Sequence, residues 1–98
     1  MFVILVSYVK PLEEIDRLLP DHMAFLEECY QAGYFVLSGR QVPRTGGVIL
    51  ARGKSRAVIE QLLQRDPFHL AGAAKYTVIE VEPTRLVPEL GMLQSSPR

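Results

Sequence analysis

The 98-residue chain has a single cysteine, Cys29, so it closes no intrachain disulfide. That usage suits a reducing cytoplasm. Cys29 sits in an apolar helical stretch with no basic neighbour in sequence, where packing is expected of it and reactivity is not. No Cys/His spacing matches a zinc site. No apolar run approaches the roughly 20 residues of a membrane span. The apolar start, Phe2 to Val6, lacks the basic n-region and small-residue cleavage site of a secretory signal. Neither G-x-G-x-x-G nor G-x-x-x-x-G-K-[ST] occurs, so Gly46-Gly47 is not a phosphate loop. No G-x-S-x-G elbow surrounds Ser38, which argues against a covalent serine nucleophile. The sequence offers a site for neither a metal nor a nucleotide, and no cofactor is expected.

Net charge is absent as well, 11 cations against 11 acids, so nothing global draws the chain toward nucleic acid or a membrane. The distribution is uneven. Residues 1–39 carry two cations and six acids, a net of −4, and residues 40–65 carry six cations and one acid, a net of +5. A basic middle can attract a small anion, although a solvated hairpin and helix end explain it more simply. No aromatic residue lies within 40–65, so the stacking platforms of a single-strand nucleic-acid binder are missing.

What is present reads as one α+β domain. Phe2 to Val9, rich in β-branched and aromatic residues, is a strand apolar on both alternating sides and so expects cover on both faces. Pro11 to Leu19 reads as a short turn or loop. Pro20, tolerated in a helix's first turn, opens the main helix, which runs to about Ala32, with Gly33 as the residue past its end. Tyr34–Gly39 and Val48–Arg52 form a hairpin, joined through the turn-rich stretch from Pro43. Ser55 caps a second helix with Val58, Ile59, Leu62 and Leu63 at helical spacing. Asp66-Pro67 starts a separate short turn, and Tyr76–Glu82 is the fourth strand, ended by Pro83.

The order β-α-β-β-α-β is the ferredoxin-like pattern, a four-stranded antiparallel sheet with helices on one face. Nothing in the chain is left to cover the other apolar face, so a symmetric homodimer packed sheet to sheet is expected. Residues 1–83 make the single domain. Residues 84–98 form a tail that could pack on the partner subunit, its last few residues loose.

His22 stands where a surface helix would carry a leucine. Leu26, Cys29 and Gly33 follow at four, seven and eleven residues, on the same face. One turn from the expected helix start, the dipole would keep the imidazole neutral, as suits a general base, although a partly buried histidine bonded to a backbone group explains the helix position more simply. Asp66 explains itself as a cap, and it could also orient His22 as the acid of a triad does. Ser38-Gly39 at a strand end could present a hydroxyl and a backbone N–H to a ligand. Arg40 and Arg44 flank the hairpin connection, able to hold a carboxylate or simply solvated. Tyr8 either lines a cavity or packs, and His69 is expected to be exposed.

At these residues the chain resembles the YciI-like, or YCII-related, family. The matching pieces are Pro20-x-His22 with Leu26, Phe35-Val36-Leu37-Ser38-Gly39, Gly46-Gly47-Val48-Ile49, and Asp66-Pro67-Phe68 with Ala71-Gly72. The resemblance implies a dimeric α+β barrel and a histidine–aspartate pair in a pocket beside the sheet. Carried over by position, the pair is His22 and Asp66 as catalytic residues, with Ser38, Gly39, Arg40 and Tyr8 on the substrate side. It also implies kinship in fold with muconolactone isomerases and with dehydrochlorinases acting on chlorinated hydroxyquinols. The chain departs from the family pattern after Ser-Gly, where Arg40 replaces the usual proline. The function so implied is a cofactor-independent isomerase or lyase moving a proton on a small cyclic or aromatic, and by the basic residues anionic, substrate. The alternative is a non-catalytic homodimer that binds a small ligand.

Overall fold

The computed structural model describes residues 1–53 and 55–94. Its elements run β1 (Phe2–Tyr8), α1 (Leu12–Gln31), β2 (Phe35–Arg40), β3 (Gly46–Ala51), α2 (Arg56–Leu63), α3 (Pro67–Leu70) and β4 (Ala74–Glu80), followed by a 3-10 helix over Pro88–Gln94. The four strands form one antiparallel sheet in the order β2-β3-β1-β4, the ferredoxin-like arrangement. It is an open sheet within the chain, not one closed on itself as a barrel. The looseness expected of the last few residues falls at 95–98, outside the described residues.

Period-two alternation sorts β1 into two sides. Phe2, Ile4 and Val6 are buried with Phe35, Ile49 and Ala51 against Ile15, Phe25, Leu26 and Cys29 of α1, Ile59 and Leu63 of α2, and Phe68 of α3. On the opposite face the register aligns Val3 with Leu50 and Ile79, and Leu50 with Leu37. Leu37 is 49 % and Ile79 43 % exposed, so this face keeps accessible apolar surface.

The main helix departs from the sequence reading. It begins at Leu12 and not at Pro20, so the stretch 12–19 is helix and Pro20 lies in its interior. An interior proline removes one backbone hydrogen bond and typically costs about 3 kcal/mol. The apolar stripe continues across it: Ile15, His22, Phe25, Leu26 and Cys29 are all buried on one face. That burial favours one long helix over a break. Pro20 itself is exposed, its ring turned from the core.

The helix ends as expected. Gly33 adopts φ 85°, the Gly33 N–H bonds the Tyr30 carbonyl and the Tyr34 N–H bonds the Cys29 carbonyl, a Schellman closure that turns the chain into β2. Strand bounds move by one to two residues, and β2 continues through Arg40. Beneath the future site, β3 approaches β1 so closely at Gly46 that an added Cβ would meet the Val6 carbonyl oxygen at 1.7 Å. Only glycine fits there.

Candidate active site

His22 reaches the site from the middle of α1, eleven residues into the helix and not one turn from its start. The helix dipole acts mainly at the first and last turns, so the dipole argument made for a first-turn histidine does not apply to it. His22 Nδ1 lies 2.8 Å from Asp66 Oδ1. Asp66 is fully buried, and His22 is 9 % exposed.

Asp66 is brought there by its own capping role. Asp66 Oδ1 accepts the Phe68 N–H at 3.0 Å and so opens α3, with Pro67 at the first helical position. Its other oxygen, Oδ2, accepts the Tyr76 hydroxyl of β4 at 2.6 Å. Burial first, and then the bond to Asp66, pushes the Tyr76 phenol's pKa upward, which keeps that hydroxyl a donor. A carboxylate already receiving an N–H and an O–H accepts from its third partner too. His22 Nδ1 therefore carries the hydrogen, and the lone pair of the neutral ring falls on Nε2.

The ring is held in plane as well as in azimuth. Phe68 stacks on His22 with centroids 3.9 Å apart and planes 10° from parallel, and Tyr8 meets Phe68 edge-on at 5.8 Å. Among the described residues no buried side-chain nitrogen or oxygen lacks a partner, and Nδ1 is the His22 atom bonded within the protein. Nε2 accordingly keeps access to the cavity that His22 lines.

That cavity holds about 320 Å³. Its walls include Val6, Leu19, Met23, Leu26, Ile49 and Phe68, with polar groups from Tyr8, His22, Ser38, Arg40 and Arg44. A mostly apolar chamber with a few converging polar groups suits a small ring-shaped ligand. A larger groove of about 480 Å³ runs between α2 and β4, but neither His22 nor Asp66 lines it. The chemistry-bearing groups sit in the smaller chamber.

The other expected residues fall out unequally. Ser38 faces the chamber, its Oγ 2.7 Å from the Tyr30 hydroxyl. Gly39 lines it through backbone only. The Gln41 N–H bonds the Gly46 carbonyl, and ladder alternation then makes Gly39–Val48 the next hydrogen-bonded pair. The Gly39 N–H is thus spent on the sheet and is no oxyanion donor, a correction to the strand-end reading of Ser38-Gly39. Arg40 lies on the chamber wall. Arg44 also lines it but pairs with Asp16 at 2.5 Å, and that bond raises its pKa. His69 is exposed and Cys29 buried. Among the described residues no three His, Cys, Asp or Glu side chains group to hold a metal ion, and no helix is long and apolar enough to cross a membrane.

Three contributors escaped the sequence reading: Phe68, Tyr76 and Tyr30. Tyr76 shares the inward side of β4 with Ala74 and Val78, where a polar tip among apolar neighbours signals a buried partner. Phe68 stands two residues from Asp66, and Tyr30 one turn beyond Leu26 on α1.

Residues 1–82 match the YCII-related domain family. No curated protein matches the chain. Among solved structures, the chain is similar to 5-chloro-2-hydroxyhydroquinone dehydrochlorinase (TftG) from Burkholderia phenoliruptrix AC1100 in complex with 2,5-dihydroxybenzoquinone. The TM-score is 0.70 at 18 % identity, covering 84 % of this chain and 94 % of that one. At that identity the likeness is one of fold.

Proposed function

The chain belongs to the YCII-related domain family, and on that footing we propose that it is a small enzyme that moves a proton on a compact cyclic substrate. The observation that carries this reading is the 2.8 Å bond from His22 Nδ1 to the buried Asp66, which leaves Nε2 open to the chamber. His22 is the base. Asp66, behind it, fixes the ring and stabilises the imidazolium formed when Nε2 takes a proton. The Ser38 hydroxyl and the Arg40 guanidinium hold substrate oxygens, with Arg40 favouring an anionic group. Tyr8 forms part of the wall against which a ring would lie. Gly39 contributes shape.

Two reaction types suit these parts. In an isomerisation, His22 Nε2 accepts a proton from one carbon or oxygen and returns it to another. In an elimination it accepts the proton while a halide leaves with its bonding pair, so HX is lost with no external oxidant or reductant. The similar dehydrochlorinase makes the second type the first to assay. Purified protein given 5-chloro-2-hydroxyhydroquinone or related halogenated hydroquinones is expected to release chloride. His22→Ala is expected to lose at least about 100-fold of that rate, the low end for a positioned general base. Full turnover by His22→Ala would end the assignment.

One observation favours a second reading. Asp66 already caps α3 and anchors Tyr76, so its placement is explained without chemistry. On that reading the protein binds a small ligand and turns nothing over. In either case two copies would pair through the apolar sheet face bearing Leu37, Leu50 and Ile79, and the described part of the tail, 84–94, is proposed to pack on the partner subunit.

A further inference from the structure

We infer that Tyr76 is a positioning residue: by sharing the Asp66 carboxylate with His22, its hydroxyl sets how strongly Asp66 grips the imidazole. The inference rests on reading His22 and Asp66 as the proton-moving pair, and it assigns a role to a residue outside the chamber, on the far side of the carboxylate.

Asp66 has two oxygens and three donors. Oδ1 serves both the Phe68 N–H at 3.0 Å and His22 Nδ1 at 2.8 Å, whereas Oδ2 is given to Tyr76 alone at 2.6 Å. The backbone donor is fixed by the α3 cap. The two side-chain donors compete for the same negative charge: what Tyr76 draws toward Oδ2 is withdrawn from the bond at Oδ1. In a site shielded from water, such competition is stronger than at a surface. The Tyr76 ring lines the groove between α2 and β4, and its hydroxyl reaches through to the carboxylate. The phenol thus links the outer groove with the imidazole, although neither Tyr76 nor Asp66 borders the inner chamber.

No other polar group of the described residues bonds this carboxylate. From α1, Cys29 is near enough to feel its charge, as it feels Arg65 and Glu28. From β1, β2 and the β2–β3 connection, Tyr8, Arg40 and Arg44 face the chamber side of the imidazole, and Arg44 is paired with Asp16. The β3 wall residues Gly47 and Ile49 carry no charge. On the groove side Tyr76 faces Arg56, Glu60 and Lys75, with the His69 ring 6.0 Å away. The hydroxyl of Tyr76 is therefore the one side-chain donor whose loss changes Asp66 without touching the chamber.

The test follows His22 by nuclear magnetic resonance in the full chain. In Tyr76→Phe, Asp66 loses a donor and holds His22 more tightly. The His22 Nδ1 proton should move downfield. Replacing Tyr76 by 3,5-difluorotyrosine, a stronger donor while protonated, should move it the opposite way. It preserves the ring, so it also serves if Tyr76→Phe folds poorly. Opposite shifts support the assignment, and an unmoved His22 in either folded variant overturns it. These readouts need no substrate, so they stand apart from the chloride assay: inactivity of the wild type would defeat the proposed function and leave the role of Tyr76 intact.

Discussion

The Phe68 ring lies flat against His22, 3.9 Å between centroids and 10° from parallel, while the Phe68 backbone N–H bonds the carboxylate that holds the same imidazole. One residue thus fixes both the plane of His22 and the position of its acid. Phe68→Leu keeps most of the buried volume and the N–H but loses the stack. It should lower stability by about 1–2 kcal/mol in urea unfolding. It should also reduce catalysis more than stability, because the freed ring no longer holds Nε2 in one direction. Unchanged turnover in a folded Phe68→Leu protein would show that the stack is packing alone.

Asp66→Asn separates orientation from charge. Oδ1 serves both the Phe68 N–H and His22 Nδ1, so the amide oxygen is expected at that place, and the NH₂ then faces the Tyr76 hydroxyl, which can turn to accept. The Nδ1 hydrogen keeps its acceptor, and what is lost is the negative charge behind the imidazolium. Turnover should fall with the ligand site intact. The cost in stability should be about 1–3 kcal/mol, as for a buried group left poorly paired. Nitrogen-15 spectra of the imidazole report the tautomer directly.

How much of this was legible from the chain is clearest on α1. The residues that face the core, His22, Leu26 and Cys29, are spaced for one helix face, and that pattern survives. The start was misplaced because Pro20 is a strong local signal for a first turn, whereas Ile15 and its fully buried contact are tertiary facts. The consequence reached the chemistry, since a mid-helix His22 owes nothing to the dipole. The pairing of His22 with Asp66 is open to the residue types as an acid that could orient a base, and the family resemblance strengthens it, but no spacing encodes contact across 44 residues. Tyr76 and Phe68 were missed for the same reason. The Gly39 N–H was misjudged because a hydrogen-bond register is fixed by the partner strand.

Cys29 supplies a pH prediction. Burial, the largest influence, pushes its thiol up to about 11 from 9.0. The unfolded chain gives up this proton first as pH rises. Stability should therefore be intact below about pH 9 and decline from there toward about 11. Unfolding followed between pH 8 and 11 should show that decline, and Cys29→Ala should flatten it. At neutral pH the thiol should resist alkylation until the protein unfolds.

The apolar sheet face predicts assembly. Leu50 lies near its centre, paired with Val3 on one side and Leu37 on the other. Wild-type protein should sediment as two chains at micromolar concentration, and Leu50→Glu as one, because an unpaired charge cannot be buried there. A monomeric wild type would remove the dimer from the account.

The central claim is that Asp66 holds the Nδ1 hydrogen of His22 and leaves Nε2 as the base. Long-range proton–nitrogen correlation on the wild-type protein, at a pH where His22 is neutral, reads this without a substrate. The account predicts a protonated Nδ1 and an unprotonated Nε2 whose signal moves when a small ligand fills the chamber. A neutral His22 with its hydrogen on Nε2 would contradict it.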